Sequence, residues 1–226
     1  MISEILRLDT ELLIFINSHH TSWLDTLMWY ASQAWVWIPL YILLAAYFYY
    51  LHSETDRQNS KIISTLIIVL AIGAAAGLSD YVTSGILKHL IARPRPTHTD
   101  GVGELLHIIN GYRGGQYGFP SSHAANCWAV CITSLLIINE KLKIKNEEKI
   151  SLTVRHISHI TIAVLLFYAL INCYSRMYLG VHFPLDILCG SIIGCIIGCL
   201  LFLLWRWATS KLFTPHHFSL TDTQRK

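Results

Sequence analysis

An arginine, a histidine and an aspartate fall at fixed spacing in Ser175-Arg176-Met177-Tyr178-Leu179-Gly180-Val181-His182-Phe183-Pro184-Leu185-Asp186. Asp186 follows His182 by four residues, one helical turn, so its carboxylate lies over the same face and can orient the imidazole. An aspartate-backed imidazole is a better nucleophile or proton acceptor, and a guanidinium beside it suits an anionic reacting group. Lys88-His89-Leu90-Ile91-Ala92-Arg93-Pro94-Arg95-Pro96 closes one apolar segment with three cations. Pro120-Ser121-Ser122-His123 opens another, with two hydroxyls, a second histidine and the free N–H groups of a helix start. Such N–H groups and the helix dipole favour a phosphate. An ionisable cluster at the mouth of very apolar segments is costly, and reads as functional.

These runs resemble the three motifs of the type 2 phosphatidic acid phosphatase family, the lipid phosphate phosphatases: K-x6-R-P, P-S-G-H and S-R-x5-H-x3-D. Lys88, Arg95 and Pro96 meet the first motif, and Ser175, Arg176, His182 and Asp186 meet the third. The second reads Pro120-Ser121-Ser122-His123, with Ser122 where the family has glycine. The resemblance covers about residues 60–207, in the family's order. It implies that His182 attacks phosphorus to form a phosphohistidine and that Asp186 holds its ring. His123 then protonates the leaving group and activates water for the second step. Lys88, Arg95 and Arg176 would neutralise the phosphoryl oxygens, and Ser121 with the backbone at Ser122 and His123 would add hydrogen bonds. No metal or cofactor is called for, since three fixed cations take the part magnesium takes elsewhere, and no acidic cluster suited to magnesium is evident.

The elements that must position these residues are membrane spans. The chain has 226 residues, 53% of them hydrophobic and 14% charged, with a mean hydropathy of +0.45. That length suits one domain, 1–226. Several apolar runs reach, or nearly reach, the roughly 20 helical residues that cross a bilayer. The expected fold is therefore all-α and polytopic, with five spans near 35–51, 62–90, 120–139, 157–173 and 183–207. Ile5–Asn17 is short and mixes apolar residues with Arg7, Asp9 and Glu11, which predicts an interfacial helix. Family members with six spans carry one more before this segment, so the chain resembles a version without it. Trp23, Trp29, Trp35 and Trp37 at one end, and Trp205 and Trp207 at the other, read as interfacial anchors. Gly190, Gly194 and Gly198 give the last span a smooth face for close packing within the monomer, and Gly73–Gly77 are read the same way for the second. All six cysteines fall in or beside apolar runs and read as small packing residues, with neither a disulfide framework nor a zinc spacing.

The motifs lie at alternating helix ends, so all three reach one membrane face. The opposite face holds Arg57, Lys61, Lys141, Lys143, Lys145, Lys149, Arg155, Arg206, Lys211, Arg225 and Lys226; the motif face holds only Lys88, Arg93, Arg95, Arg113 and Arg176. The positive-inside rule then places the site outside the cytoplasm, in the periplasm for a bacterial inner-membrane protein. No basic n-region or cleavage site predicts a removable signal peptide. The net charge of +3 is spread without a nucleic-acid motif, so the expected partners are the bilayer and a lipid phosphate. Oligomeric state is not legible.

Several residues stay open at this stage. Arg93 either touches substrate phosphate or does not, and Asp80, two turns before Lys88, is read as bonding a neighbouring helix. His107, His156, His159, His216 and His217 read as structural. Glu104–Ile109 predicts a short interfacial helix, followed by a glycine-rich loop in which Arg113 could meet a second anionic group. The substrate range includes undecaprenyl diphosphate, lipid A, phosphatidylglycerophosphate and phosphatidate, the first two being favoured for an external site. The alternatives are a lipid phosphotransferase using the same site, and a transporter with charges along a pathway. A transporter tends to show repeats and charges near the midplane, neither of which is present.

Overall fold

In a bilayer each backbone N–H and C=O must find its partner within the chain, and the apolar runs meet that demand as helices. The computed structural model describes residues 1–52, 58–144 and 151–213. Helices α1 (Ile2–Ser18) and α2 (Ser22–Ala31) lead through a 3-10 turn to α3 (Ile38–Tyr50). Helix α4 (Gln58–Asp80) runs on through a π-helical stretch, Tyr81–Leu87, into the single turn α5 (Lys88–Ile91). A long outer loop then leads to α6 (Ser122–Ile144), α7 (Leu152–Tyr178) and α8 (Pro184–Phe213). Arg57, Lys145, Lys149, His216, His217, Arg225 and Lys226 lie outside the described residues.

Among the described residues, four helical units are long and apolar enough to cross a membrane: Gln58–Ile91, Ser122–Lys143, Leu152–Tyr178 and Pro184–Lys211. A bent pair, Ser22–Ala31 with Ala34–Tyr50, reaches that length and apolarity only when its two arms are taken together across a 73° turn. The protein is thus an all-α integral membrane protein. The span expected near 35–51 is the second arm of this pair, Ala34–Tyr50. Ala34–Trp37 is a 3-10 turn, and the 13 residues of α3 rise only ~20 Å. Helix α2 was not legible in the sequence, because Asp25 and Ser22 dilute its apolar pattern.

Helix α6 is the centre, packing most extensively on α8 and next on α4. The glycines of α8 explain the first contact. A Cβ at Gly190 or Gly194 would run into the carbonyl oxygens of Ser121 and Ala125, and one at Gly198 would lie 3.0 Å from that of Ala129. This is the close approach within one chain that the four-residue spacing suggested. The parallel reading of Gly73 and Gly77 fails, because a Cβ on either would meet nothing within 4 Å; the buried residue there is Ala75, against Ala129. Below the site, Phe48, Ile68, Ile137, Ile138 and Leu165 fill the core between α3, α4, α6 and α7.

Helix α1 does more than lie on a surface. Ile2, Ile5, Leu8 and Phe15 are exposed, Arg7 pairs with Glu4 and Glu11 at 2.6 Å each, and Asp9, Leu13 and Asn17 are buried. The tryptophans divide similarly. Trp23, Trp35 and Trp207 are exposed as anchors would be, but Trp205 is buried beside Phe202, and Trp37 donates to the Ala31 carbonyl at 2.9 Å. Trp29 packs edge-on to Tyr112. The helix expected at Glu104–Ile109 is replaced by two separate 3-10 turns, Gly103–Leu105 and Ile109–Gly111, with Leu106 turned inward between them. All six cysteines are free, and Cys127, Cys131 and Cys173 are buried.

Gly194→Ala should destabilise the folded protein by about 1–3 kcal/mol, since two backbones must part to admit one methyl. Gly73→Ala should be neutral or slightly stabilising. Thermal unfolding in one detergent would compare them, and equal melting temperatures would show that the α6–α8 contact does not limit stability.

Candidate active site

The corner between α7 and α8 sets the histidine. Gly180 takes a left-handed φ of 69°, and the Val181 and Gly180 N–H groups donate to the Arg176 and Met177 carbonyls at 3.1 and 2.9 Å. This Schellman closure ends α7 one turn after Arg176 and delivers His182 two residues later. Pro184 then opens α8 at the position where a missing N–H costs nothing. Two carboxylates satisfy the next amides of that helix start. Asp186 reaches back to the Phe183 N–H at 3.0 Å, and Asp9 of α1 accepts from the Leu185 N–H at 2.8 Å.

His182 and Asp186 are both fully buried, and Nδ1 of the imidazole lies 3.5 Å from Asp186 Oδ2. Neither ring nitrogen has a hydrogen-bond partner among the described residues. Burial, reinforced by Arg95, Arg176 and Lys88, pushes His182 well below the ordinary imidazole pKa, so the ring is neutral. A neutral, unpartnered nitrogen among three cations has the chemistry of a nucleophile toward an anion. His123 lies in the first turn of α6, whose head is tied to that of α8 by the Ser121 N–H donating to the Asp186 carbonyl at 2.9 Å.

Each cation is held by its own neighbours. Lys88 Nζ donates to Ser122 Oγ at 2.8 Å, and that oxygen also bonds Ser84 Oγ at 2.6 Å. Ser84 in turn lies 3.2 Å from Asp80 Oδ1. Asp80 therefore bonds its own helix and reaches α6 only through Ser84. The π-helical stretch before Lys88 adds a residue to the turn and so resets which face the lysine takes. Arg95 is buried, donating to the Tyr117 carbonyl at 3.1 Å and the Val181 carbonyl at 3.4 Å. Burial and the nearby Arg176 lower its pKa. Arg176, 1% exposed, donates to Tyr112 Oη at 3.0 Å and leaves Nε without a partner. Among the described residues none of the three has a carboxylate within ion-pair distance.

The glycine-rich loop wraps the site. A Cβ at Gly114 would lie 2.6 Å from Arg95 Nη1, and one at Gly118 would lie 2.9 Å from Asp186 Oδ2. Gly118 N–H donates to the Arg93 carbonyl at 2.9 Å, so the loop and the cationic strand are stitched together. Burial disfavours an ionised Tyr112, but Arg176 and Arg95 outweigh it and lower the phenol's pKa. Arg113 is exposed, with Nη1 3.4 Å from the Thr97 carbonyl.

Ser121 caps α6: its Oγ accepts the Ala124 N–H at 3.4 Å, while its own N–H donates to the Asp186 carbonyl at 2.9 Å. That leaves the Ser122 and His123 amides at the head of the helix, where no intrahelical acceptor exists. Arg93 faces two carboxylates. Its two Nη atoms pair with Asp9 at 2.7 Å and Asp186 at 2.8 Å.

Lys88, Arg95, Ser122, His123, Arg176, His182 and Asp186 thus come together as the motifs required. Asp9, Tyr112 and the Arg93 pairing were not foreseen. Only Asp9 carried a signal, a carboxylate on an otherwise apolar helical stripe with Leu13 and Asn17 at four-residue steps.

His20, Asp25 and His107 hold donor atoms within 4.8 Å of one another, a set zinc could use. The two imidazoles, however, stack at 3.7 Å with planes 6° apart, so their lone pairs run side by side rather than converging. Asp25 accepts from Tyr178 at 2.6 Å and contacts His107 Nε2 at 2.9 Å. The cluster clamps the outer loop to α2 and to the end of α7.

Comparison with known proteins agrees with this arrangement. The family model described as the PAP2 superfamily matches residues 66–210. The lipid A 4'-phosphatase of Bacteroides thetaiotaomicron is 30% identical over 213 residues, covering 94% of this chain and 83% of that protein. The undecaprenyl-diphosphatase of Sulfolobus acidocaldarius is 26% identical, covering 82% of this chain and 73% of that one. In fold, the chain is similar to the crystal structure of a transmembrane PAP2 type phosphatidylglycerolphosphate phosphatase from Bacillus subtilis. The TM-score is 0.57 and the identity 21%, over 92% of this chain and 88% of the other. The chain therefore belongs to the PAP2 superfamily, as an integral-membrane hydrolase of lipid phosphates.

Proposed function

We propose that this protein removes phosphate from a lipid by way of a phosphohistidine on His182, without a metal. The observation that carries the reading is the fully buried His182, its ring nitrogens without a partner among the described residues, amid Lys88, Arg95 and Arg176. Nδ1 faces Asp186, so Nε2 attacks phosphorus while the bond to the lipid oxygen breaks. His123 gives the departing oxygen a proton. The ring, now cationic, shortens the 3.5 Å approach of Nδ1–H to Asp186 into a charge-assisted hydrogen bond. Water then attacks the phosphohistidine, passing a proton to His123, and inorganic phosphate leaves. The three cations and the first amides of α6 hold the equatorial oxygens throughout.

The 4'-phosphate of a lipid A type glycolipid is the first substrate to test, because the relative with that name aligns over 94% of this chain. Undecaprenyl diphosphate is the second, supported by the relative named for it. We place the site on the external face of a bacterial inner membrane, on the bias of basic residues toward the opposite helix ends.

His182→Ala should abolish phosphate release in detergent, and acid-labile labelled phosphoenzyme should form in the wild type alone. Saturating EDTA should leave turnover intact. Activity above a few per cent in His182→Ala, or loss with EDTA reversed by magnesium, would contradict this mechanism.

Ser122→Gly should lower kcat/KM by about tenfold, since it removes an acceptor from the Lys88 ammonium. A rate equal to the wild type would mean that Lys88 needs no such anchor.

In a variant lacking native cysteines, Glu104→Cys should react with an impermeant maleimide in intact spheroplasts, and Asn146→Cys only after permeabilisation. The reverse pattern would put the site in the cytoplasm.

A further inference from the structure

The carboxylate behind His182 does not stand alone. Asp186 is fully buried, and among the described residues its oxygens have two hydrogen-bond donors besides the approaching imidazole: the Phe183 N–H at 3.0 Å and Arg93 Nη1 at 2.8 Å. A carboxylate without water remains ionised only when a cation and donors replace that water. Arg93 is the sole cation within ion-pair distance of it among the described residues. The guanidinium is itself fixed from two further sides. Its second nitrogen pairs with Asp9 at 2.7 Å, and its plane lies over the Phe183 ring, 4.1 Å from Cζ to the centroid.

Asp9 belongs to α1, far from the motifs in sequence, and its side chain is 1% exposed. Its other oxygen accepts the Leu185 N–H at 2.8 Å, so it grips the start of the helix that carries Asp186. Without Asp9 the planar fork of Arg93 would be free to close on both oxygens of Asp186, the geometry guanidinium and carboxylate prefer. That would draw Oδ2 away from His182. With Asp9 in place, one nitrogen goes to each carboxylate and Oδ2 stays turned toward the imidazole.

We propose that Arg93 and Asp9 are positioning residues of the reaction, holding the Asp186 carboxylate ionised and aimed at His182, so that α1 is a working part of the active site. The inference rests on the phosphohistidine reading above. Arg93 does not touch the phosphate in this account, and Asp9 acts on the histidine through two intermediates.

The test measures kcat and KM on the preferred lipid phosphate for Asp9→Asn, Arg93→Gln and Arg93→Lys. Each is also combined with Asp186→Asn, and His182→Ala serves as the reference. Monodispersity in detergent and thermal unfolding report folding, and the near-isosteric Asp9→Asn decides if Arg93→Gln aggregates. Arg93→Gln and Asp9→Asn should lower kcat by about 10- to 100-fold. KM should stay within about threefold, because Lys88, Arg95 and Arg176 are untouched. Arg93→Lys should recover part of kcat, as a point charge can neutralise Asp186 but cannot bridge both carboxylates. In the Asp186→Asn background the same changes should cost little more, since their common target is gone. A KM raised tenfold with kcat preserved would make Arg93 a phosphate ligand and overturn the proposal. So would losses that add fully to that of Asp186→Asn. An inactive His182→Ala beside Asp9→Asn and Arg93→Gln at wild-type rates would sink this inference alone, whereas an active His182→Ala would remove the mechanism on which it rests.

Discussion

One backbone hydrogen bond sets the frame for the chemistry: the Ser121 N–H donating to the Asp186 carbonyl at 2.9 Å. It ties the head of α6, which carries His123, to the head of α8, which follows His182. The bond can form only because Gly190, one turn beyond Asp186, offers no side chain where the Ser121 carbonyl sits. Gly194 and Gly198 continue the same contact down the helix pair. Two helix starts are thus locked side by side at a depth set by small residues, and both histidines inherit that register. A change at Gly190 would therefore reach the reacting groups without touching them.

Around this frame the charges are sorted by sign. Lys88, Arg95 and Arg176 surround the imidazole without an ion-pair partner among the described residues, while Asp186 and Asp9 lie behind it with Arg93 between them. Three cations that repel one another are costly to bury, and an incoming phosphate relieves that cost. For the reaction proposed, the arrangement is preorganised for charge that arrives with the substrate and is redistributed in the transition state. Keeping the rear carboxylates paired with Arg93 prevents them from neutralising the front cations directly. The separation depends on Oδ2 and Oδ1 of Asp186 serving different partners, which a single extended loop could not enforce.

The parts of the site that were legible in the sequence are those whose roles require a fixed spacing on one element. Arg176, His182 and Asp186 are set by a helix end, a glycine turn and the next helix start, so a linear pattern describes them fully. Lys88 and Arg95 are similar, although the π-helical stretch ahead of Lys88 left no mark that periodicity could read. Asp9, Tyr112 and the partners of Arg93 were hidden because their contacts span 64 to 176 residues of sequence. In the fold, the spans from α4 onward were readable from apolar length alone. The bent α2–α3 unit was not, since neither arm satisfies a length rule and the 3-10 turn between them is a local choice. Trp205 misled for a related reason: composition marks an amphipathic ring but not which way its helix faces.

Serine at position 122 shows how a departure from a family pattern can be absorbed. Glycine there would leave the amide open and Lys88 without an acceptor on α6. The hydroxyl instead links Lys88 to Ser84, and through it to Asp80, an acidic residue exposed at the side of α4. The side chain does not obstruct the helix start, because Ser121 supplies the capping oxygen and Ser122 turns its own toward Ser84 and Lys88. A polar chain therefore runs from the outer side of the bundle to a cation of the site. In a low-dielectric surrounding such hydrogen bonds hold their members stiffly. Lysine, with four rotatable bonds, gains more from that restraint than either arginine, whose forks are already fixed by backbone carbonyls and Tyr112. The least preorganised of the three cations is the one that received an additional anchor.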